Sequence, residues 1–136
     1  MNFTKTIILA FSVLAILSCQ KSGPKEFALG KDQCDNCRMT ITEHKYATQL
    51  LTEKGRAYKF DDISCMTMYE SSNPDKAVNS KMYVIDFPSG SFLEKARAIF
   101  IKGGSIKSPM GGNTQAFRDK AAAEKAAAAT GASLIK

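Results

Sequence analysis

Phe60 and Phe117 each close a short apolar run, and each is followed two positions later by an aspartate and then by a stretch suited to a helix. The whole segments, Tyr58-Lys59-Phe60-Asp61-Asp62 and Gln115-Ala116-Phe117-Arg118-Asp119, align at one constant offset. In both, the run reads as a strand, and the aspartate reads as a cap that takes up free N–H groups at a helix start. Two copies of one junction point to a small unit built twice. The expected fold is therefore α+β, with two tandem, duplicated ββαβ units.

The flanking residues fill in each unit. Strands are expected over 47–53 and 56–60, with Lys54-Gly55 as the hairpin turn between them. A helix capped by Asp61 or Asp62 runs to about residue 70 and is stopped at Ser71-Ser72-Asn73-Pro74, because proline cannot continue a helix. Residues 82–87 alternate, with Tyr83, Ile85 and Phe87 on one face, and read as the next strand. The second unit has strands at 96–101 and 114–117, joined by a loop containing glycine and serine. An Ala-rich helix then runs from Asp119 to Gly131, and a last strand covers 133–135.

The beginning of the chain reads as an address. Lys5 is followed by an apolar run from Ile7 to Leu17, broken only by Ser12. It is shorter than the ~20 residues that span a bilayer and suits the core of a signal peptide. It ends in Ile16-Leu17-Ser18-Cys19, which resembles a bacterial lipobox. Residues 1–18 are thus expected to be a leader, and Cys19 the lipidated residue. The protein would then be exported and held by its lipid in a cell or outer membrane, facing the periplasm. Residues 19–33 are polar, carry Gly23-Pro24, and read as a flexible tether. Residues 34–90 and 91–136 are assigned to the first and second units. The chain carries 19 Lys and Arg against 13 Asp and Glu, a formal charge of +6. These charges are interspersed along an exported chain, so nucleic acid is not an expected partner.

Of the four cysteines, Cys19 belongs to the lipid, which leaves Cys34, Cys37 and Cys65. An odd number in an oxidising compartment leaves at least one thiol free or bound to something else. The chemistry concentrates in Cys34-Asp35-Asn36-Cys37-Arg38-Met39. Thiolate and thioether are soft donors that select Cu(I) over hard cations. Arg38 beside Cys37 favours the thiolate form. Rival readings of the CxxC are a redox pair or half of a zinc site. Redox pairs usually open a helix within a βαβ pattern, whereas Thr40-Ile41-Thr42 favours strand or loop. No second CxxC or histidine pair completes a zinc site, and His44 is the only histidine. Met110, in Ser108-Pro109-Met110-Gly111-Gly112, is either a loop methionine free to close over an ion or a plug for an apolar gap. Gly103-Gly104 and Gly111-Gly112 suggest a mobile loop. Cys65, Met66 and Tyr69 share one helical face, which reads as packing.

Together the lipobox, Cys37-Arg38-Met39, Phe60-Asp61-Asp62-Ile63-Ser64-Cys65 and Pro109-Met110-Gly111 followed by Ala116-Phe117 resemble the NosL family of copper-binding lipoproteins. That family assists maturation of nitrous oxide reductase. The resemblance implies a pair of ββαβ units similar to organomercurial lyase. It also implies one Cu(I), delivered toward the copper centres of the reductase in company with a membrane ABC-type complex. By position the family's sulfur ligands fall on Cys37, Met39 and Met110, with Cys34 as an additional candidate. The family pattern usually has glycine where this chain has Arg38, and glycine adopts backbone angles that arginine resists. The resemblance implies a metallochaperone and not an enzyme. The competing functions are a thiol–disulfide oxidoreductase using Cys34 and Cys37, and a general periplasmic copper store.

Overall fold

The computed structural model describes residues 23–135; the expected leader and lipobox, including Cys19, lie outside the described residues. The fold is α+β and contains two antiparallel sheets. The first is built from β1 (Thr48–Leu51), β2 (Ala57–Phe60), β3 (Lys81–Ile85) and β4 (Phe92–Glu94), in the order β2-β1-β3-β4. Helix α1 (Ile63–Ser72) and the short α2 (Pro74–Ala77) lie between β2 and β3. The second sheet holds β5 (Ile99–Lys102), β6 (Thr114–Phe117) and β7 (Ser133–Ile135), in the order β6-β5-β7, with α3 (Lys120–Thr130) between β6 and β7. In each sheet a hairpin leads into a helix, and the next strand returns on the free side of the first.

Phe60 and Phe117 end their strands fully buried. Two residues later Asp62 accepts from the N–H of Ser64, and Asp119 from that of Ala122, each capping its helix. The Ala-rich α3 ends at Gly131, whose φ of 73° is the left-handed cap conformation that glycine adopts without strain. Asn73 caps the end of α1, and Pro74 starts α2 at the first helical position, where a missing N–H costs nothing.

Two expectations are corrected. Phe92–Glu94, assigned above to the second unit, pairs with β3 as the fourth strand of the first sheet. The first sheet therefore extends past residue 90. The segment 19–33 is not a free tether over its described part. Lys25 exchanges two hydrogen bonds with the buried side chain of Gln49, at 2.7 and 2.8 Å. Phe27 stacks near His44 and Phe92, and Lys59 binds the Glu26 carbonyl and the Asp32 carboxylate. A fully buried glutamine needs partners, and this segment supplies them.

The sheets meet along a seam. Asp86, just beyond β3, bridges to Ala116 in parallel fashion, with the N–H of Phe87 donating to the Ala116 carbonyl at 2.8 Å. The Asp86 carboxylate accepts from the N–H of Arg118. Gln115 donates to the Tyr46 hydroxyl. Thus β6 is an edge strand of its own sheet yet is wholly buried, with its open side covered.

Candidate metal centre

Residues 28–41 fold back on themselves as a hairpin-like loop closed by a Gln33–Thr40 bridge, with the CxxC at its tip. At that tip the N–H of Cys34 donates to the Met39 carbonyl and the N–H of Arg38 donates to the Cys34 carbonyl. The N–H of Cys37 points at the Cys34 sulfur, 3.4 Å away. Arg38 takes a φ of +67° to make this turn. This left-handed backbone, which glycine adopts freely, costs arginine about 1 kcal/mol. Asp35 ties the loop to the edge of β2 through two hydrogen bonds with the Lys59 backbone, both 2.8 Å.

That docking presses the tip against the start of α1. Cys34 and Cys65 are fully buried, and Cys37 is partly exposed. One ligand atom each from Cys34, Cys37, Cys65 and Asp61 all lie within 4.8 Å of one another. The Cys37 thiol donates to both Asp61 carboxylate oxygens, at 3.5 and 3.6 Å. Burial pushes the Cys34 thiol above its usual range, against the pull of the Cys37 N–H. Burial pushes Cys65 up further, helped by neighbouring Cys34 and Asp61. Both shifts favour the thiol form of Cys34 and Cys65, and a metal bound to them would displace those protons.

The expected packing role of the Cys65 helix face is present, since Cys65, Met66 and Tyr69 are all buried in the core around α1. However, Cys65 also turns its sulfur into the cluster. Sequence reasoning missed this group because its members come from a loop tip and a helix start. The visible signal was Asp61-Asp62-Ile63-Ser64-Cys65, where a cysteine in the first helical turn enjoys the favourable end of the helix dipole. The half zinc site that lacked a partner in sequence finds Cys65 and Asp61 in space.

Met39 and Met110 are exposed, at 59% and 42%. Met39 follows Cys37 by two residues. Met110 reaches the same region from the second sheet: its N–H donates to Asp62 Oδ2 at 2.9 Å, and the Ser108 hydroxyl donates to the same oxygen at 2.6 Å. Burial alone would raise the Asp62 carboxyl, but hydrogen bonds from Ser108, Ser64 and Met110 hold it below the ordinary carboxylate range. Cys37 and Met110 are thus attached to consecutive residues, Asp61 and Asp62.

The Met110 loop, expected to be mobile, is tied by hydrogen bonds in this structure. Ser108 and Asn113 exchange two hydrogen bonds, and Ser105 donates to the Thr130 carbonyl. Ile106 is buried in the second core. Two of the glycines allow close approach and not motion. A Cβ at Gly104 would fall 2.1 Å from the Thr130 carbonyl oxygen, and one at Gly112 would fall 2.6 Å from Asp62 Oδ1.

The NosL family model matches residues 27–136. No curated protein matches the chain. Among solved structures, the chain is similar to the crystal structure of the copper chaperone NosL from Shewanella denitrificans. The TM-score is 0.71 at 21% identity, with 83% of this chain and 92% of that chain covered. At that identity the likeness is one of fold.

Proposed function

This chain belongs to the NosL family, and from that premise we propose that it binds one Cu(I) on Cys37, Met39 and Met110 and passes it to an extracytoplasmic copper enzyme. The observation that carries this reading is the attachment of Cys37 and Met110 to Asp61 and Asp62, which brings a thiol and a thioether loop from different sheets to one helix start. Soft sulfur donors suit Cu(I), and the exposure of both methionines suits release, because a receiving protein can attack the metal before the donor lets go. Cys37 is the partly exposed thiol of the group, and its hydrogen bonds to Asp61 hold it at the helix start.

Assembly of the copper centres of nitrous oxide reductase, in company with an ABC-type complex, is the delivery route proposed on family grounds. Anchoring through lipid on Cys19 would hold the carrier at the membrane. The like strand orders of the two sheets support a repeated ββαβ unit, and with it the proposed likeness to organomercurial lyase. The oxidoreductase reading is weakened by the burial of Cys34 and by a CxxC that opens no helix.

Anaerobic titration with Cu(I) tests the proposal. One equivalent is expected to bind tightly and to resist Zn(II), and Cys37→Ser should weaken binding at least ~100-fold, about 2.7 kcal/mol. Native-like binding by that variant, or a zinc complex that copper fails to displace, would reject it. Cys19→Ser should move the protein out of the membrane fraction or leave it uncleaved. A processed Cys19→Ser protein still firmly in the membrane would reject the lipid anchor.

A further inference from the structure

Two of the three clustered cysteines have no part in the site just proposed. Cys34 and Cys65 are fully buried, yet their sulfurs face Cys37 and not only apolar neighbours. Three sulfurs around a metal at ~2.3 Å lie about 3.8–4 Å apart. The 4.8 Å limit on the present cluster leaves less than about 1 Å of contraction to reach that spacing. The loop tip is also shaped for a bound sulfur. The backbone N–H of Cys37 is aimed at the Cys34 sulfur, 3.4 Å away, and Cys65 stands in the first turn of the ten-residue α1. N–H groups aimed at a sulfur and a helix N-terminus both favour negative charge on it. A core chosen for packing alone would not place three thiols and a carboxylate at one point.

We propose that Cu(I) has a second, inner position on Cys34, Cys37 and Cys65, with Cys37 shared between it and the exposed position on Met39 and Met110. This rests on the Cu(I) reading above. Moving inward, the ion keeps its bond to Cys37 and exchanges two thioether bonds for two thiolate bonds. The Cys34 and Cys65 thiols each release a proton to water as their copper–sulfur bonds form, and no electron is transferred. Asp61, a hard oxygen donor, stays a hydrogen-bond partner and not a ligand. The inner position holds the ion away from water and stray ligands. The outer position, reached by swapping ligands about one fixed sulfur, presents it to the receiving protein. An ion that never has to leave Cys37 is not lost between the two.

Copper K-edge X-ray absorption on the chain loaded with one equivalent of Cu(I), compared between the native protein and its variants, tests this. The expected result is a first shell of about three sulfurs at ~2.3 Å, unchanged when Met39 and Met110 are both replaced by alanine. In Cys34→Ser with Cys65→Ala, checked for native circular dichroism, Cu(I) should still bind. It should hold two thioethers in place of two thiolates, a change visible in the copper–sulfur distances, and be captured by a competing chelator at least ~10-fold faster. If that double variant matches the native chain in both spectrum and capture rate while Cys37→Ser does not, the inner position is wrong and the proposed function stands. If Cys37→Ser also matches, the proposed function itself fails. A native chain that takes up two Cu(I) ions independently would likewise overturn a single ion moving between two positions. A zinc ion held by the three cysteines and Asp61 against excess Cu(I) would do so as well.

Discussion

The backbone N–H of Met110 donates to Oδ2 of Asp62 at 2.9 Å, and the other oxygen of the same carboxylate caps α1 through Ser64. One buried side chain therefore sets both the helix that carries Cys65 and the loop that carries Met110. The bond uses the Met110 backbone, so the side chain is free for other work.

Met110→Ala keeps that N–H and removes an exposed side chain, so stability should change by less than ~0.5 kcal/mol. Its effect on copper should depend on the inner cysteines. In the native chain the loss of affinity should be small. In Cys34→Ser with Cys65→Ala it should reach at least ~10-fold, because the outer position is then the one that remains. A double-mutant cycle of Cu(I) affinities measures the difference. Equal losses in both backgrounds would show that Met110 does not alternate with the buried thiols.

Gly111 and Gly112 should respond differently to alanine. Gly111 has a φ of +72° and open space around it, so Gly111→Ala should cost about 1 kcal/mol. Gly112→Ala drives a methyl group into Asp62 and Ser64 and should cost more, on the order of 2–3 kcal/mol. It should also loosen the Met110 N–H from Asp62. Denaturant unfolding gives the two energies, and hydrogen exchange at Met110 reports the bond. Equal costs would mean that Asp62 is not the loop's anchor.

Arg38→Gly should stabilise the protein by ~0.5–1 kcal/mol, since the +67° backbone it relieves is one that glycine adopts freely. Arg38→Val should destabilise it, because a β-branched residue resists that conformation most. Thermal unfolding of the three forms should rank them Gly, Arg, Val.

Asp86 predicts a pH dependence. Burial opposes its charge, but hydrogen bonds from Ser89 and the Arg118 N–H prevail and hold its carboxyl below the ordinary range. A group whose pKa is depressed by folding stabilises the fold above its unfolded pKa, about 4, and loses that contribution as pH falls through the folded value. Asp86→Asn should therefore cost ~1–3 kcal/mol at neutral pH. The gap between native and variant should shrink as pH falls from about 4. A gap that is constant with pH would mean that the ionised carboxylate is not what joins the sheets.

The sequence by itself determined what is local. Strands β6 and β7 fall on the residues expected for them, and α1 and α3 start at Asp62 and Asp119 because a side-chain cap acts within three residues. The stop at Asn73-Pro74 and the left-handed Gly131 are likewise decided by single residues. Tertiary structure decided what depends on distant partners. Phe92–Glu94 becomes a strand because the free edge of β3 offers it hydrogen bonds, and 25–33 docks because buried Gln49 and Lys59 require partners. Cys65 reads as a packing residue in sequence, since its helical face is apolar. Only the docking of the 28–41 loop against the start of α1 turns it into the third sulfur of a cluster. The glycines around Met110 promise freedom in sequence, yet in space two of them permit contact, because a missing Cβ serves close approach as readily as it serves motion.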